Sequence, residues 1–454
     1  MRNLPATPKR LSTTWTAIVL SALGVGLIAL YRIGLGAQGT NDILCFLKIV
    51  GLQALLYLAA VWLNLRSSQS RPVLIIALVF ATLFRLSILF STPYLSDDIY
   101  RYIWDGRVQA AGVNPYRYIP ADQSLAHLRD ENIYPKINRR ESAPTMYPPV
   151  AEGVWFLTTR VSESVTWMKV TMIGFEAIAV WAIMQLLGSF GMARQRILIY
   201  AWHPLAVWEF AGSGHFDAIV IAFVALALLA HRRNAAAMTG VALACATLVK
   251  FFPAVLFPAL YKRWSWKMPL AFTLTIVAAY LPYLSVGPVR VLGFLPGYAS
   301  ERGMTSGEQF MILSVVRRLI NLPTAAYVVF ALVLLTVISV WLMRNQERDE
   351  LGYVRSALII ASVFMLLLTP HFAWYFAWLI PFLCFIPSAP VLYLTLSSFL
   401  LYLTWIYWAE SQVLKIKAAM FIPALLLAAL NFWLKSRRDR MFIGKRIQTI
   451  PPAP

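Results

Sequence analysis

Apolar positions fill most of this chain in blocks of about 15 to 25 residues, separated by short polar stretches. A helix needs about 20 apolar residues to cross a bilayer core of about 30 Å, so the pattern predicts transmembrane helices. The predicted spans lie at 13–35, 43–65, 72–91, 167–187, 197–211, 216–231, 268–286, 323–343, 356–370, 372–387, 390–408 and 418–434. The segment 235–261 has basic residues at both ends, which predicts two short helices broken at the proline after Lys250.

Two longer stretches interrupt this pattern. Residues 92–166 separate the third span from the next full-length one, and their apolar part at 150–160 is too short to cross a bilayer. Residues 288–322 form a second long polar region. We therefore expect two large loops on the same side of the membrane.

Composition supports a membrane protein. The chain has 454 residues, of which 59% are hydrophobic and 13% charged, with a mean hydropathy of +0.66. Soluble proteins carry about 25% charged residues, and the short alternating strands typical of a membrane barrel are absent from the sequence. The expected fold is an all-α polytopic bundle of about 12–14 transmembrane helices, forming one integral membrane domain over 1–454.

The net charge of +20 does not indicate a nucleic-acid partner, because of where the basic residues lie. Of the 40 Lys and Arg residues, 21 fall in the segments 1–12, 66–71, 188–196, 232–234, 262–267, 344–355 and 435–454. These short segments alternate with the spans in a way that places them in the cytoplasm under the positive-inside rule. Both termini are then inside, and the loops 92–166 and 288–322 are extracytoplasmic. The positive charge therefore indicates the topology of the chain in the membrane and contact with membrane lipids.

The stretch 91–118 concentrates polar chemistry at the start of the first large loop. A helix starting near Asp97 would place Asp97, Arg101 and Asp105 on one stripe, with Tyr100 and Trp104 on the neighbouring face. This arrangement predicts an interfacial helix with aromatic anchors at headgroup depth. Asp97 and Asp98 are candidates for a catalytic base; the alternative is that they only favour the positive end of the helix dipole.

Other ionisable residues lie at breaks between the predicted spans, where polar groups are costly and mark functional sites. Each has a structural alternative: Glu209 and Asp217 could tie helices together, Lys250 could pair with a carboxylate inside the membrane, and Arg85 could pair with Asp97 or Asp98 or reach toward the interface. The remaining candidates are His215, beside a Gly-Ser-Gly turn, Tyr147 in the first loop, Arg302 in the second, and His371 and Tyr375 at the outer end of a span.

Five stretches, taken in order, resemble the GT-C superfamily of membrane glycosyltransferases. They are SDDIYRYIWDGRVQAAGVNPY, MYPP, HPLAVWEFAGSGHFD, LVKFFPAVLFP and TPHFAWYFAWLIP, within residues 90–380. The chain is similar in particular to the bacterial polyprenyl-phosphate-mannose-dependent mannosyltransferases of family GT87 and to the catalytic subunits of GPI mannosyltransferase I. The acidic pair here is adjacent rather than spaced, which leaves open whether Asp97 or Asp98 is the base.

The resemblance implies transfer of a hexose, mannose by analogy, from a polyprenyl-phosphate sugar to an acceptor hydroxyl, with inversion. The active site would lie outside the bacterial inner membrane, and the acceptor would be a glycolipid, a polysaccharide or a protein. Such a transfer needs a base for the acceptor proton and positive charge at the departing phosphate. We expect Asp97 or Asp98 as base, Lys250, His371 and Arg302 near the phosphate, and Arg101, Tyr147, Glu209, His215, Asp217 and Tyr375 in the substrate pocket.

This mechanism requires no metal, since lysine, arginine or histidine can meet the charge of a monophosphate; no residue is assigned to a metal, and dependence on a divalent ion is left open. The alternative function is transport, as a secondary transporter or a flippase of lipid-linked sugars. A transporter would concentrate its polar residues near the membrane midplane, whereas this chain has an external loop of about 75 residues rich in Asp, Arg and Tyr. Formation of a glycosylated product in detergent distinguishes the two.

Overall fold

The fold was examined in a computed structural model, which describes residues 11–39, 42–262, 264–345 and 349–447. The chain is 74% helical, and no β-strand occurs in these ranges. The α-helices are α1 (Thr13–Gly39), α2 (Ile43–Arg66), α3 (Arg71–Leu89), α4 (Asp98–Ala110), α5 (Pro149–Val161), α6 (Val165–Ser189), α7 (Leu198–Ala201), α8 (Pro204–Ala206), α9 (Asp217–Arg232), α10 (Ala236–Thr247), α11 (Phe257–Leu260), α12 (Lys267–Tyr280), α13 (Leu295–Glu301), α14 (Met311–Val316), α15 (Thr324–Arg344), α16 (Gly352–Leu368), α17 (Ile380–Leu383), α18 (Ala389–Ser397) and α19 (Glu410–Ile447). The expected all-α polytopic fold is confirmed. Of the basic segments expected in the cytoplasm, residues 1–10, 263, 346–348 and 448–454 lie outside the described ranges.

Seven helices in the described part of the chain are long and apolar enough to cross a membrane. These spans are Thr13–Ala37, Ile43–Arg66, Arg71–Leu89, Val165–Ser189, Lys267–Val286, Thr324–Arg344 and Glu410–Arg437. Four shorter apolar helices accompany them: Ala236–Thr247, Gly352–Leu368, Ala373–Leu383 and Ala389–Trp405. The spans at Lys267–Val286 and Thr324–Arg344 bury few of their residues inside the protein, as expected of helices that face lipid.

Local sequence explains where several helices begin. Asp42, Ser70 and Ser164 each precede a helix, and the side chain of each accepts a hydrogen bond from the backbone amide three residues later. These side chains satisfy amides that have no partner within the first helical turn.

Several predicted full-length spans are broken in the structure. The region predicted as one span at 197–211 is a 3₁₀ turn, two short α-helices and a π-helix over Val207–Gly212, with Pro204 at the start of α8. A 3₁₀ helix over Ala373–Leu379 likewise precedes α17. These irregular segments are buried within the protein, where neighbouring helices can satisfy backbone groups that lipid cannot. Hydrophobic pattern alone therefore gives more uninterrupted spans than the structure has.

The helix after the acidic pair lies inside the protein. Residues Ile99–Gly106 of α4 are all buried, and the helix packs on α5. Tyr100 and Trp104, expected as anchors in the lipid headgroups, are 8% and 1% exposed. Their contacts are with protein, so the aromatic face that suggested membrane anchoring instead fixes α4 beneath the loop that follows it.

Arg85 does not pair with the acidic residues of the first loop. Its guanidinium forms a buried ion pair with Glu176 on α6, with Arg85 Nη2 2.6 Å and Nε 2.9 Å from the two carboxylate oxygens. Arg85 Nη1 also donates to the carbonyls of Ala81 and Ala201. Arg85 thus joins α3, α6 and α7, which is a structural role.

Candidate active site

A cavity of about 760 Å³ lies where the two large loops meet the bundle. Most of its lining comes from four parts of the chain: the start of the first loop and its return at 138–148, the break after α10, the second loop, and the end of α16 with the segment that follows. Phe216, just before α9, and Trp405, after α18, complete it. The polar and aromatic lining residues include Ser96, Asp97, Asp98, Asn138, Arg139, Tyr147, Phe216, Lys250, Tyr298, Arg302, Phe372, Trp374, Tyr375 and Trp405.

Asp97 and Asp98 line this cavity together and share one partner. Asn138 donates its side-chain amide to Asp97 Oδ1 at 3.1 Å and to Asp98 Oδ1 at 2.6 Å. Loss of hydration raises the pKa of the Asp97 carboxyl above its ordinary value; the hydrogen bond from Asn138 opposes this shift, and the neighbouring Asp98 adds to it. Ser96 Oγ accepts from the backbone amide of Asp98 at 3.1 Å, which starts α4 one residue later than expected.

A buried histidine stands behind Asp98. His215 Nε2 lies 4.0 Å from Asp98 Oδ2, and His215 Nδ1 lies 2.9 Å from Glu209 Oε2. The hydroxyl of Tyr402 donates to the other oxygen of Glu209 at 2.6 Å. The imidazole stacks on Trp374, with ring centroids 4.0 Å apart, and its Nε2 has no hydrogen-bond partner among the described residues. Glu209 therefore fixes the ring so that its second nitrogen faces Asp98.

The positive charge of Lys250 is already matched by a carboxylate. Its ammonium lies 2.6 and 2.8 Å from the two oxygens of Asp217, which is 1% exposed. It also lies over the rings of Phe216 and Tyr375, 4.4 and 4.5 Å from their centroids. The pairing that the sequence offered as the structural alternative for Lys250 is present, and Lys250 still lines the cavity.

Arg302 is held by aromatic rings rather than by a carboxylate. Its guanidinium lies over Phe372 at 4.4 Å and over Tyr298 at 5.1 Å, and its buried Nε has no hydrogen-bond partner among the described residues. The nearby Arg139, which the sequence did not single out, is paired with Glu301 at 2.6 Å. Arg302 thus lines the cavity with no carboxylate partner among the described residues, whereas Lys250 and Arg139 are each paired with one.

His371 lies beside the cavity rather than on its surface. Burial, together with the charges of Lys417 and Arg302, lowers the pKa of the His371 imidazole to about 3. An interaction with the backbone of Arg302 opposes this lowering of the pKa. At neutral pH this side chain is uncharged, so it can position Arg302 but brings no positive charge to a phosphate.

The return of the first loop is fastened by buried polar contacts. Tyr116 donates its hydroxyl to the carbonyl of Tyr147 at 2.5 Å, and Arg101 bridges Asp105 at 2.8 Å while donating to the carbonyl of Ala143 at 3.1 Å. At Gly293 an added Cβ would lie 1.8 Å from the carbonyl oxygen of Thr145, so only glycine lets the second loop dock here. These contacts hold Tyr147 in the cavity wall.

The structure divides the predicted site residues into two groups. Six line the cavity: Asp97, Asp98, Tyr147, Lys250, Arg302 and Tyr375. Five lie behind the lining: Arg101, Glu209, His215, Asp217 and His371. The sequence analysis missed Asn138 and Arg139, whose only signal was their place in a charged stretch of the external loop. In the described part of the chain, no group of three or more His, Cys, Asp or Glu side chains is placed to hold a metal ion.

Comparison with known families decides the class of protein. The family described as alpha-(1->6)-mannopyranosyltransferase, N-terminal domain, matches residues 13–267, more than half of the chain. The chain belongs to this family. It is therefore a membrane glycosyltransferase that transfers mannose, as expected, and the transport alternative gives way to an enzyme. A comparison with curated proteins gives no match. The matched range includes Asp97, Asp98 and Lys250, whereas Arg302 lies beyond it.

Proposed function

We propose that this enzyme transfers mannose from a polyprenyl-phosphate mannose to the 6-hydroxyl of a mannose-containing acceptor, with inversion. The reaction takes place on the extracytoplasmic face of the bacterial inner membrane, and the acceptor is a glycolipid, a polysaccharide or a protein. The alpha-(1->6) linkage is taken from the description of the matched family. Since inversion that produces an alpha bond must start from a beta bond, the donor carries a beta-linked mannosyl phosphate. The narrower kinship with family GT87 belongs to the same proposal.

One observation carries the proposal. A single cavity is lined by two carboxylates and by Lys250, Arg139 and Arg302, and it continues into an apolar groove. A lipid-linked sugar phosphate has the corresponding three parts: a sugar that reacts beside a base, an anionic phosphate and an apolar tail. The two large loops that line it are the ones that the distribution of basic residues places outside the cytoplasm, which supports reaction on the external face.

Asp98 is the better placed of the two carboxylates to act as base. One of its oxygens accepts from Asn138 and the other faces His215, so its orientation is fixed from both sides. In the proposed step the acceptor hydroxyl gives its proton to Asp98 as its oxygen bonds to C1 of mannose. The bond from C1 to the phosphate oxygen breaks, and its electron pair leaves with the polyprenyl phosphate.

Arg302 is the proposed contact for the phosphate. It has no carboxylate partner among the described residues, and cation–π contacts with Phe372 and Tyr298 hold the guanidinium at the cavity wall. Lys250 adds positive charge from beside its carboxylate partner. The sequence analysis placed Lys250, His371 and Arg302 together near the phosphate; in this proposal Arg302 comes first and the uncharged His371 is left out.

The lipid tail of the donor has an apolar path. A groove of about 420 Å³ lies between the 252–261 segment and α15, lined by Val255, Phe257, Pro258, Tyr261 and residues between Leu335 and Met343. Val255 lines both this groove and the cavity, so the two adjoin. A prenyl chain leaving the phosphate can pass Phe252 and Val255 and continue along α15 within the membrane.

The test is product analysis with purified full-length protein in detergent. Polyprenyl-phosphate mannose of beta configuration and a soluble alpha-mannoside acceptor should give an alpha-(1->6)-linked product, identified by NMR. The alpha-configured donor should give none. Use of GDP-mannose in place of the lipid donor would contradict the proposal, as would a beta-linked product. A Glu131→Gln variant, altered at an exposed carboxylate of the first loop, serves as control and should behave as wild type.

A further inference from the structure

A second groove, which the proposed chemistry does not use, lies on the same face of the protein. It has a volume of about 560 Å³ and is formed by the chain just after α4 together with the end of the Lys267–Val286 span. Both of its sides belong to or adjoin the two large loops that build the active-site cavity. Its main polar and aromatic lining residues are Gln109, Asn114, Arg117, Tyr118, Phe156 and Tyr283.

The lining has the chemistry that binds neutral sugars. Three aromatic rings offer apolar faces, on which the C–H face of a pyranose can pack. Side-chain amides and hydroxyls offer both donors and acceptors, which matches the hydroxyl groups of a sugar. Among the lining residues only Arg117 carries a charge. A groove for a phosphate-rich ligand would need several cations.

The groove is held in one shape by hydrogen bonds. Asn114 donates its amide to the carbonyl of Tyr283 at 2.8 Å and to the hydroxyl of Ser285 at 3.0 Å. The hydroxyl of Tyr283 donates to Gln109 Oε1 at 2.9 Å. These contacts join the two sides of the groove, so a ligand binds to a surface that is already ordered.

A thin layer of side chains connects the groove to the active-site cavity. Gln109 donates to Glu152 Oε2 at 2.8 Å, and Thr145 donates to Glu152 Oε1 at 2.6 Å. Thr145 stands two residues before Tyr147, which lines the cavity. Tyr116 packs on Tyr283 from the same layer, with ring centroids 5.4 Å apart. The groove and the cavity are therefore adjacent and share one rigid wall.

We propose that this groove binds the saccharide chain of the acceptor, behind the unit whose hydroxyl is attacked. The inference rests on the proposed function and adds to it the class of acceptor: a chain of neutral hexoses longer than one unit. The enzyme would then extend an existing glycan rather than attach mannose to a single sugar or to a bare lipid headgroup.

The experiment compares acceptors of different length with the same donor. Methyl glycosides of alpha-(1->6)-linked mannose with one, two and four units are given to wild-type enzyme and to the Arg117→Ala and Tyr118→Ala variants. Arg117 is exposed, and its hydrogen bond to the carbonyl of Ser285 is long, at 3.4 Å, so we expect its removal to leave the fold intact. We expect the wild-type KM to fall with acceptor length, and each variant to raise the KM for the tetrasaccharide by about tenfold, more than that for the monosaccharide. Arg290→Ala, an exposed arginine of the second loop that lines neither the cavity nor the groove, is the matched control.

Two results would overturn the inference: a wild-type KM that does not depend on acceptor length, or variants that weaken short and long acceptors equally. Binding of the unlabelled tetrasaccharide to the full-length protein without donor, followed by saturation-transfer NMR, gives a second readout. If wild-type protein transfers no mannose, the proposed function fails, and this binding measurement still decides about the groove. Loss of the NMR signal in Arg117→Ala but not in Arg290→Ala supports it, and no signal in wild type refutes it.

Discussion

Substitution of Asp98 by asparagine is the most informative change in the active-site cavity. Asparagine has the shape of aspartate, and its side-chain oxygen can still accept the 2.6 Å hydrogen bond from Asn138. The change therefore removes the proton-accepting carboxylate and little else. Donor and acceptor binding should be retained, with KM values within about twofold of wild type, while the chemical step slows.

The size of the loss follows from the role of a base. General-base catalysis contributes about 10²- to 10⁴-fold to a rate, which is about 3 to 5 kcal/mol of barrier at about 1.4 kcal/mol per tenfold. Asp97 keeps a carboxylate beside the acceptor after this change, but His215 faces only Asp98. We therefore expect Asp98→Asn to lower kcat at least about 100-fold and Asp97→Asn to lower it less than about tenfold.

The assay is single-turnover transfer of radiolabelled mannose, with enzyme in excess over the polyprenyl-phosphate donor and acceptor at saturation, which isolates the chemical step from product release. Thermal unfolding of each variant in the same detergent confirms that the fold is kept. His215→Gln adds a third measurement: if His215 orients Asp98, its loss lowers kcat and shifts the pH at which the rate is half maximal. The assignment is refuted if Asp98→Asn retains more than about a tenth of the wild-type rate, or if Asp97→Asn is the more damaging change.

Three further expectations concern the phosphate contact, the tail groove and the buried acid behind the first loop. Arg302→Gln should raise the donor KM about 10- to 100-fold, because a charge-assisted hydrogen bond contributes about 1.5 to 3 kcal/mol, whereas Arg290→Gln should leave it unchanged. Val255→Trp should raise the KM of a long-chain polyprenyl donor and spare a short-chain analogue; equal effects on both would contradict the assigned path. Burial and the neighbouring Asp105 raise the pKa of Glu152 well above its usual range. A carboxyl of this kind stabilises the fold below its unfolded pKa of about 4.3, and this contribution is lost as pH rises toward the folded value. Glu152→Gln, which keeps an acceptor for Thr145, should therefore flatten the fall of Tm between mildly acidic and mildly alkaline pH, and an unchanged slope would show that Glu152 binds no extra proton.

The class of fold was predictable because lipid imposes one strong rule on sequence: spanning segments must be apolar, and their backbone must be satisfied internally. Two elements could not be predicted from this rule. The π-helix over Val207–Gly212 reads as an ordinary apolar segment, since nothing in its composition reports that surrounding helices satisfy its backbone. The surroundings of α4 were equally hard to predict, because aromatic residues suit both lipid headgroups and a protein interior. The helix expected at the membrane interface is buried in the protein.

Residues of the cavity were easier to find than their partners. An ionisable side chain at the end of an apolar segment is costly enough to attract notice wherever it lies, which identified Asp97, Asp98 and Lys250. Pairing depends on contacts between segments distant in the chain: Glu176 reaches Arg85 across 91 positions, and Asp217 reaches Lys250 across 33. No local pattern encodes these distances. The surroundings of Arg302 were hidden for the same reason, since only the fold brings Phe372 and Tyr298 to it.

The charges around the cavity suit a donor with one phosphate. Lys250 and Arg139 are each paired with a carboxylate, which leaves Arg302 as the cation with no carboxylate partner among the described lining residues. A sugar phosphodiester carries one negative charge, which one arginine can match. As the bond to C1 breaks, the departing phosphate gains a second negative charge, and in the same step the acceptor proton neutralises Asp98. The proposed reaction therefore moves one negative charge within the cavity and does not change the total. In a site of low dielectric constant this avoids the large cost of creating net charge, whereas a diphosphate donor would enter with an additional charge that Arg302 alone does not balance.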